Sequence, residues 1–146
     1  MAVGYLYTRF FDSLVKGKVD VTNNVYVVLM DADYIPDQDA HQYESSLNLA
    51  TTEVVGTGYT AGGQLLSGVT VTVDTANNRV IVDATDTVWD PSTITARYAV
   101  LIDKTPASAA NNPLIGLIDF EADKSSSASE FKLVWSSNGI FRLSTT

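Results

Sequence analysis

His41 is the only histidine in the chain, and there is no cysteine. Without thiols there is no cysteine nucleophile, disulfide, iron–sulfur cluster or thiolate zinc site. General acid–base catalysis is most often histidine chemistry, so one imidazole leaves little room for an enzyme. His41 closes the densest run of candidate ligands, after Asp31, Asp33, Asp37 and Asp39. Carboxylates at that density suit a hard cation such as Ca²⁺, which takes about six to eight oxygens. The run lacks the glycine and the terminal glutamate of an EF-hand loop, and Tyr34 and Pro36 stand where ligands would be. Aspartates also cap helices and open turns with no metal present. The spacing leaves ion and turn both open, and no metal or cofactor is assigned.

Asp83, Asp86 and Asp90 gather around Trp89. A glycoside hydrolase sets two carboxylates about a sugar, and an aromatic ring can stack on it. The same aspartates serve turns and a strand exit, with Asp90-Pro91 as turn chemistry. The run Gly56-Thr57-Gly58-Tyr59-Thr60-Ala61-Gly62-Gly63 is glycine-rich. A phosphate cradle needs such glycines between a strand and a helix N-terminus. Here a Thr/Val strand follows and no lysine is near, so the segment reads as a loop. No GxSxG elbow, HExxH pair or P-loop occurs. The expectation is a chain that is not an enzyme.

Tyr5, Tyr7, Phe10 and Phe11 put four aromatic rings into seven residues near the N-terminus. That much aromatic surface must be buried, either on the chain's own domain or on a neighbouring subunit. These four are the candidate partner-interface residues.

The elements that carry these residues follow from periodicity. Tyr5 to Val15 repeats apolar residues at three- and four-residue spacings, which predicts an amphipathic helix over 5–16, with Gly17 as its C-cap. Asp37–His41 predicts the start of a short helix. Val25–Met30 reads as a buried strand. Val69-Thr70-Val71-Thr72-Val73 alternates strictly, the mark of a half-buried strand, and Asn77-Asn78 turns it into Arg79–Val82. Further strands are expected at Ile94–Ile102, Leu114–Phe120 and Phe131–Trp135, the last forming a hairpin through Asn138-Gly139 with Ile140–Leu143. Short strands with turns between them predict a mainly β chain: an antiparallel β-sandwich or jelly-roll-like domain over 1–146 with a short N-terminal helix. Ile94–Ile102 and Leu114–Phe120 are apolar on both faces, which calls for a third layer or an oligomer interface.

The 146 residues carry 17 acidic and 9 basic side chains, a net charge of −8. Phosphate binding rests on Lys and Arg, so direct nucleic-acid binding is not expected. No apolar run approaches the ~20 residues of a membrane-spanning helix. The N-terminal run lacks the basic-then-apolar order of a secretory signal, so no signal peptide and no membrane partner are expected.

The runs Leu14-Val15-Lys16-Gly17-Lys18-Val19-Asp20, Val25–Met30, Asp33-Tyr34-Ile35-Pro36-Asp37 through His41, and Gly56–Gly63 occur in that order. Ser92-Thr93-Ile94-Thr95-Ala96-Arg97-Tyr98-Ala99-Val100 and the ending Phe131, Trp135, Asn138-Gly139-Ile140 and Leu143 follow. In these runs, over nearly its whole length, the chain resembles a group of small tailed-bacteriophage virion structural proteins. The resemblance carries no catalytic residues. It implies a virion component made in the bacterial cytoplasm. The leading expectation is a capsid decoration (cement) protein, a homo-oligomer with the major capsid protein as partner. The alternatives are a tail, baseplate or fibre attachment protein, or a carbohydrate-binding module with Trp89 or an exposed tyrosine as its platform.

Overall fold

The β-branched and aromatic runs form strands because their stiff side chains pack well on a pleated surface. The computed structural model describes residues 2–145 and is mainly β, a sandwich-like domain of antiparallel sheets with a short helix. The strands are β1 (Val3–Leu6), β2 (Val25–Met30), β3 (Gln64–Leu65), β4 (Thr70–Asp74), β5 (Arg79–Asp83), β6 (Thr87–Ser92), β7 (Thr95–Asp103), β8 (Leu114–Ser125), β9 (Ser129–Leu133) and β10 (Phe141–Ser144). Two α-helical segments, α1 (Thr8–Val15) and α2 (Leu49–Thr52), and a 3₁₀ turn at Glu44–Leu47 complete the elements. The strands make a five-stranded sheet ordered β1-β8-β7-β2-β3, a three-stranded sheet β10-β5-β4 and the pair β6-β9.

The centre of the large sheet is buried on both faces, as doubly apolar strands require. Val27–Met30, Ala99–Asp103 and Leu114–Leu117 are buried without alternation. Asp119 on β8 pairs with Tyr98 on β7, and Tyr98 packs edge-on against Tyr34 at 5.6 Å. The next residue, Phe120, points to the opposite face and meets Phe131 of β9 at 6.3 Å. The β6-β9 pair therefore covers one face, and the segment carrying Tyr34 covers the other. The third layer is supplied by the chain itself.

Four expectations are corrected. The helix does not begin at residue 5. Tyr5 lies in β1 opposite Leu117, and the Tyr7 N–H continues the ladder to the Ile115 carbonyl at 3.2 Å. Ladder bonds to β8 outweigh local helix propensity here, and α1 starts at Thr8. Asp37–His41 makes one turn only, closed by the His41 N–H on the Asp37 carbonyl at 3.1 Å. Asn138-Gly139 is a turn but joins no hairpin, because β9 pairs with β6 and β10 pairs with β5. Gly139, at φ +95°, lets the chain pass so close to Val82 that a Cβ there would approach the Val82 carbonyl to 2.9 Å. Finally, β4 is not half-buried. It pairs with β5 alone, and none of its residues is buried.

Candidate interaction surface

The N-terminal aromatics part company at the strand-to-helix junction. Tyr5 lies on β1, half-buried beside Tyr98 and Asp119; burial, then the Asp119 carboxylate, pushes its phenol up. Tyr7 and Phe10 are fully buried in the chain's own core. The Tyr7 hydroxyl shares a 2.8 Å hydrogen bond with that of Tyr34, which in turn lies 2.9 Å from His41 Nδ1. Burial pushes the Tyr34 phenol up to about 12 and that of Tyr7 still further, so both remain neutral. Phe10 packs edge-on against Phe141 of β10 at 5.5 Å. Phe11, one step around the helix, is 46% exposed, and Val15 at the helix end is 87% exposed. Of the four aromatic candidates, Phe11 presents a ring about half exposed and Tyr5 a less exposed one.

The acidic run folds back onto this same junction. The Thr8 hydroxyl donates to Asp39 Oδ1 at 2.6 Å, and Arg9 Nε donates to the Asp39 carbonyl at 3.2 Å. Gln38 Nε2 donates to the Leu6 carbonyl at 2.9 Å. Asp31 accepts the Asp33 N–H, and Asp37 accepts those of Asp39 and Ala40. These are Asx turns, and the Ala40 and Asp39 bonds hold the Asp37 carboxyl below its ordinary range. Among the described residues no three His, Asp or Glu side chains gather as a metal site. The tyrosine–histidine chain and the Asp39 clamp join residues about thirty positions apart. No local pattern signals such a juxtaposition, although the ring-rich N-terminus marks one side of it.

Trp89 is only 4% exposed, wedged between Tyr59 and Phe131 with ring centroids 6.1 and 6.0 Å away. Its faces are taken by those rings, so it offers no stacking platform for a sugar, and the aspartates near it serve the backbone. Asp86 accepts the Trp135 N–H at 2.9 Å, while Asp83 accepts the N–H of Ala84. Asp90-Pro91 is a cis peptide inside β6, at the register shift between Trp89 and Ser92, and so belongs to a bulged strand rather than a turn.

The glycine-rich loop packs on the large sheet. A Cβ on Gly63 would come within 2.2 Å of the Val27 carbonyl, so only glycine allows that approach. Glu53 holds the loop from beneath, accepting the Tyr59 hydroxyl at 2.8 Å and the Gly62 N–H at 2.7 Å. Lys104 holds it from the side. Its Nζ donates to the Gly62 carbonyl at 2.9 Å, lies 3.5 Å from Glu44, and rests 5.0 Å from the centre of the Tyr26 ring. These polar groups bind one another, which is the pattern of a structural anchor.

An apolar groove of about 430 Å³ opens between β1 and the segment from Leu133 to Phe141. Its floor is Gly4 and Leu6 of β1 beside Ile118 and Gly116 of β8, which share one face of the sheet. Trp135, Ile140 and Phe141 line it as well. Two glycines leave the floor bare: a Cβ on Gly4 would make only ordinary 3.8 Å contacts. Trp135 is pinned by its Nε1–H on the Thr85 carbonyl at 3.1 Å, so that side is preformed. Val134, 65% exposed, lines the groove. Through Phe141, Phe10 and Phe11, ring contacts link the groove to α1. Sequence periodicity does not reveal this groove, because its parts lie at the two ends of the chain.

Compared with protein-family models, with curated proteins and with solved structures, the chain finds no match.

Proposed function

We propose that this chain is a tailed-phage virion structural protein that decorates the capsid, binding the outer surface of the major capsid shell as a homo-oligomer. The observation that carries the reading is the preformed apolar groove between β1 and the Leu133–Phe141 segment, continued by Phe11. An open apolar groove on a well-packed domain suits a ligand or another polypeptide, and the capsid reading assigns it to the latter. The resemblance of the motif runs to small tailed-phage virion proteins supports a capsid protein as the partner. A net charge of −8 disfavours contact with packaged DNA, so any effect on genome retention acts through the coat. Binding only the assembled lattice stabilises it by mass action, and many weak contacts act together.

Gly4→Val tests the reading directly. The added side chain fills the groove floor where a Cβ is tolerated, so the melting temperature should hold. Binding of the purified variant to capsids that lack the protein should fall at least tenfold. Undiminished binding by Gly4→Val would move the interface away from the groove. Copy number in purified particles tests the position: hundreds per virion fit a shell protein, and six to a few dozen would place it on the tail.

A further inference from the structure

We infer that two copies of this chain pair through the free edge of β4, antiparallel and about a two-fold axis at Thr72. The inference stands on the small sheet alone and does not depend on where the protein is carried.

β4 ends the sheet β10-β5-β4, so one of its edges has no partner strand. The hydrogen-bond phase identifies the groups on that edge. The Thr145 N–H bonds the Asn78 carbonyl at 3.0 Å, in register with the β10-β5 pairs Leu143–Val80 and Phe141–Val82. Alternation in an antiparallel ladder then turns the backbone groups of Val80 and Val82 toward β10, and those of Arg79, Ile81 and Asp83 toward β4. Their partners Asp74, Thr72 and Thr70 face β5, which leaves the N–H and C=O of Val71 and Val73 pointing outward.

Edge strands in monomers are blunted by charge, proline, shortness or a covering group. Among the described residues, the other edges carry such devices. β3 has two residues. β1 has its Leu6 carbonyl covered by Gln38. β6 contains Asp90 and Pro91, β9 contains Glu130 and Lys132, and β10 contains Arg142. β4 reads Thr-Val-Thr-Val-Asp, and its one charge, Asp74, is paired with Arg79 at 2.9 Å. In a chain of net charge −8 this edge is locally neutral, so a second copy meets no repulsion there.

The edge is also self-complementary. With Thr72 opposite Thr72 of the second copy, Val71 faces Val73 as a hydrogen-bonded pair on each side of the axis, and the outward groups satisfy one another. The apolar faces then join. Val71, 46% exposed, and Val73, 68% exposed, share a face with Val80 and Leu143, and pairing makes that face continuous across a six-stranded sheet.

The chain lacks cysteine, so Thr72→Cys gives a clean probe. Residues opposite each other in a non-hydrogen-bonded pair lie about 4.5 Å apart at Cα, within disulfide reach. Mild oxidation of Thr72→Cys should yield a covalent dimer, and oxidation of Ser144→Cys should not. By sedimentation equilibrium at about 100 µM, the wild-type chain should approach twice its 15.7 kDa mass. Val73→Lys and Val73→Pro should weaken association at least tenfold without lowering the melting temperature at dilutions where the wild type is monomeric, because the Val73 N–H serves no bond inside the sheet. A monomeric wild type at that concentration overturns the inference. So does an oligomer that both Val73 variants leave intact, or equal cross-linking of Thr72→Cys and Ser144→Cys.

Discussion

Phe10 and Phe11 are adjacent in sequence and opposite in role, and mutation separates them. Phe10 is fully buried between α1 and Phe141. Phe10→Ala should cost about 3–5 kcal/mol of stability by removing a buried ring and leaving a cavity. Phe11→Ala removes a half-exposed ring, so thermal melts should shift less than for Phe10→Ala, while on the proposed reading capsid binding weakens. Equal losses of stability in the two variants would show that Phe11 is also core. The Tyr34 hydroxyl bridges Tyr7 and His41. Tyr34→Phe keeps the ring but leaves the buried Tyr7 hydroxyl short of a partner, at a cost of about 1–3 kcal/mol. Urea titration of the variant reads that directly, and a midpoint equal to wild type would mean the Tyr7 hydroxyl needs no partner.

The β4-β5 hairpin depends on a charged latch at its tip. Asp74 takes hydrogen bonds from Asn77 and Arg79, and these hold its carboxyl below the ordinary range. Asp12, bonded by Lys16, and Asp20, bonded by Thr22, are shifted the same way. A folded-state pKa below the unfolded one adds stability that is present above the ordinary carboxylate pKa of about 4 and is lost as pH falls through the folded value. The melting temperature should therefore be lower at about pH 3 than at neutral pH, and Asp74→Asn should narrow the difference. A pH difference unchanged in Asp74→Asn would remove the latch from the account. The acidic segment from Asp31 to His41 is an element of another kind, held by Asx turns and the clamp on Thr8 and Arg9. EDTA should leave the melting temperature unchanged. A drop of several degrees that Ca²⁺ restores would show that the segment closes around an ion.

The domain as a whole joins its two chain ends. β1 forms one side of the apolar groove, and the Leu133–Phe141 segment forms the other. On the proposed capsid reading, such a surface would add stability to a particle without chemistry. Phage lacking the gene should assemble heads yet lose DNA more readily on heating or in EDTA, and added purified protein should restore resistance. Normal heat resistance combined with failed adsorption to cells would move the protein to the tail.

Local sequence determined the strand-rich character, the β4-β5 hairpin through Asn77-Asn78, and the helix stop at Gly17, which adopts φ +66°. Period, turn chemistry and β-branching act over a few residues, so they are legible without a fold. The doubly apolar β7 and β8 likewise announced two buried faces, but not whose residues would cover them. Tertiary structure decided that. It drew Tyr5 out of a helix and into a ladder with β8, because paired backbone groups outweigh a few tenths of a kcal/mol of propensity. It sent the strands flanking Asn138-Gly139 to different sheets. It split the four N-terminal aromatics between core and surface, and built the groove from segments more than a hundred residues apart. Packing partners at that separation are chosen by the shape and free hydrogen-bonding edges of the assembled sheet, and neither exists until the chain has folded.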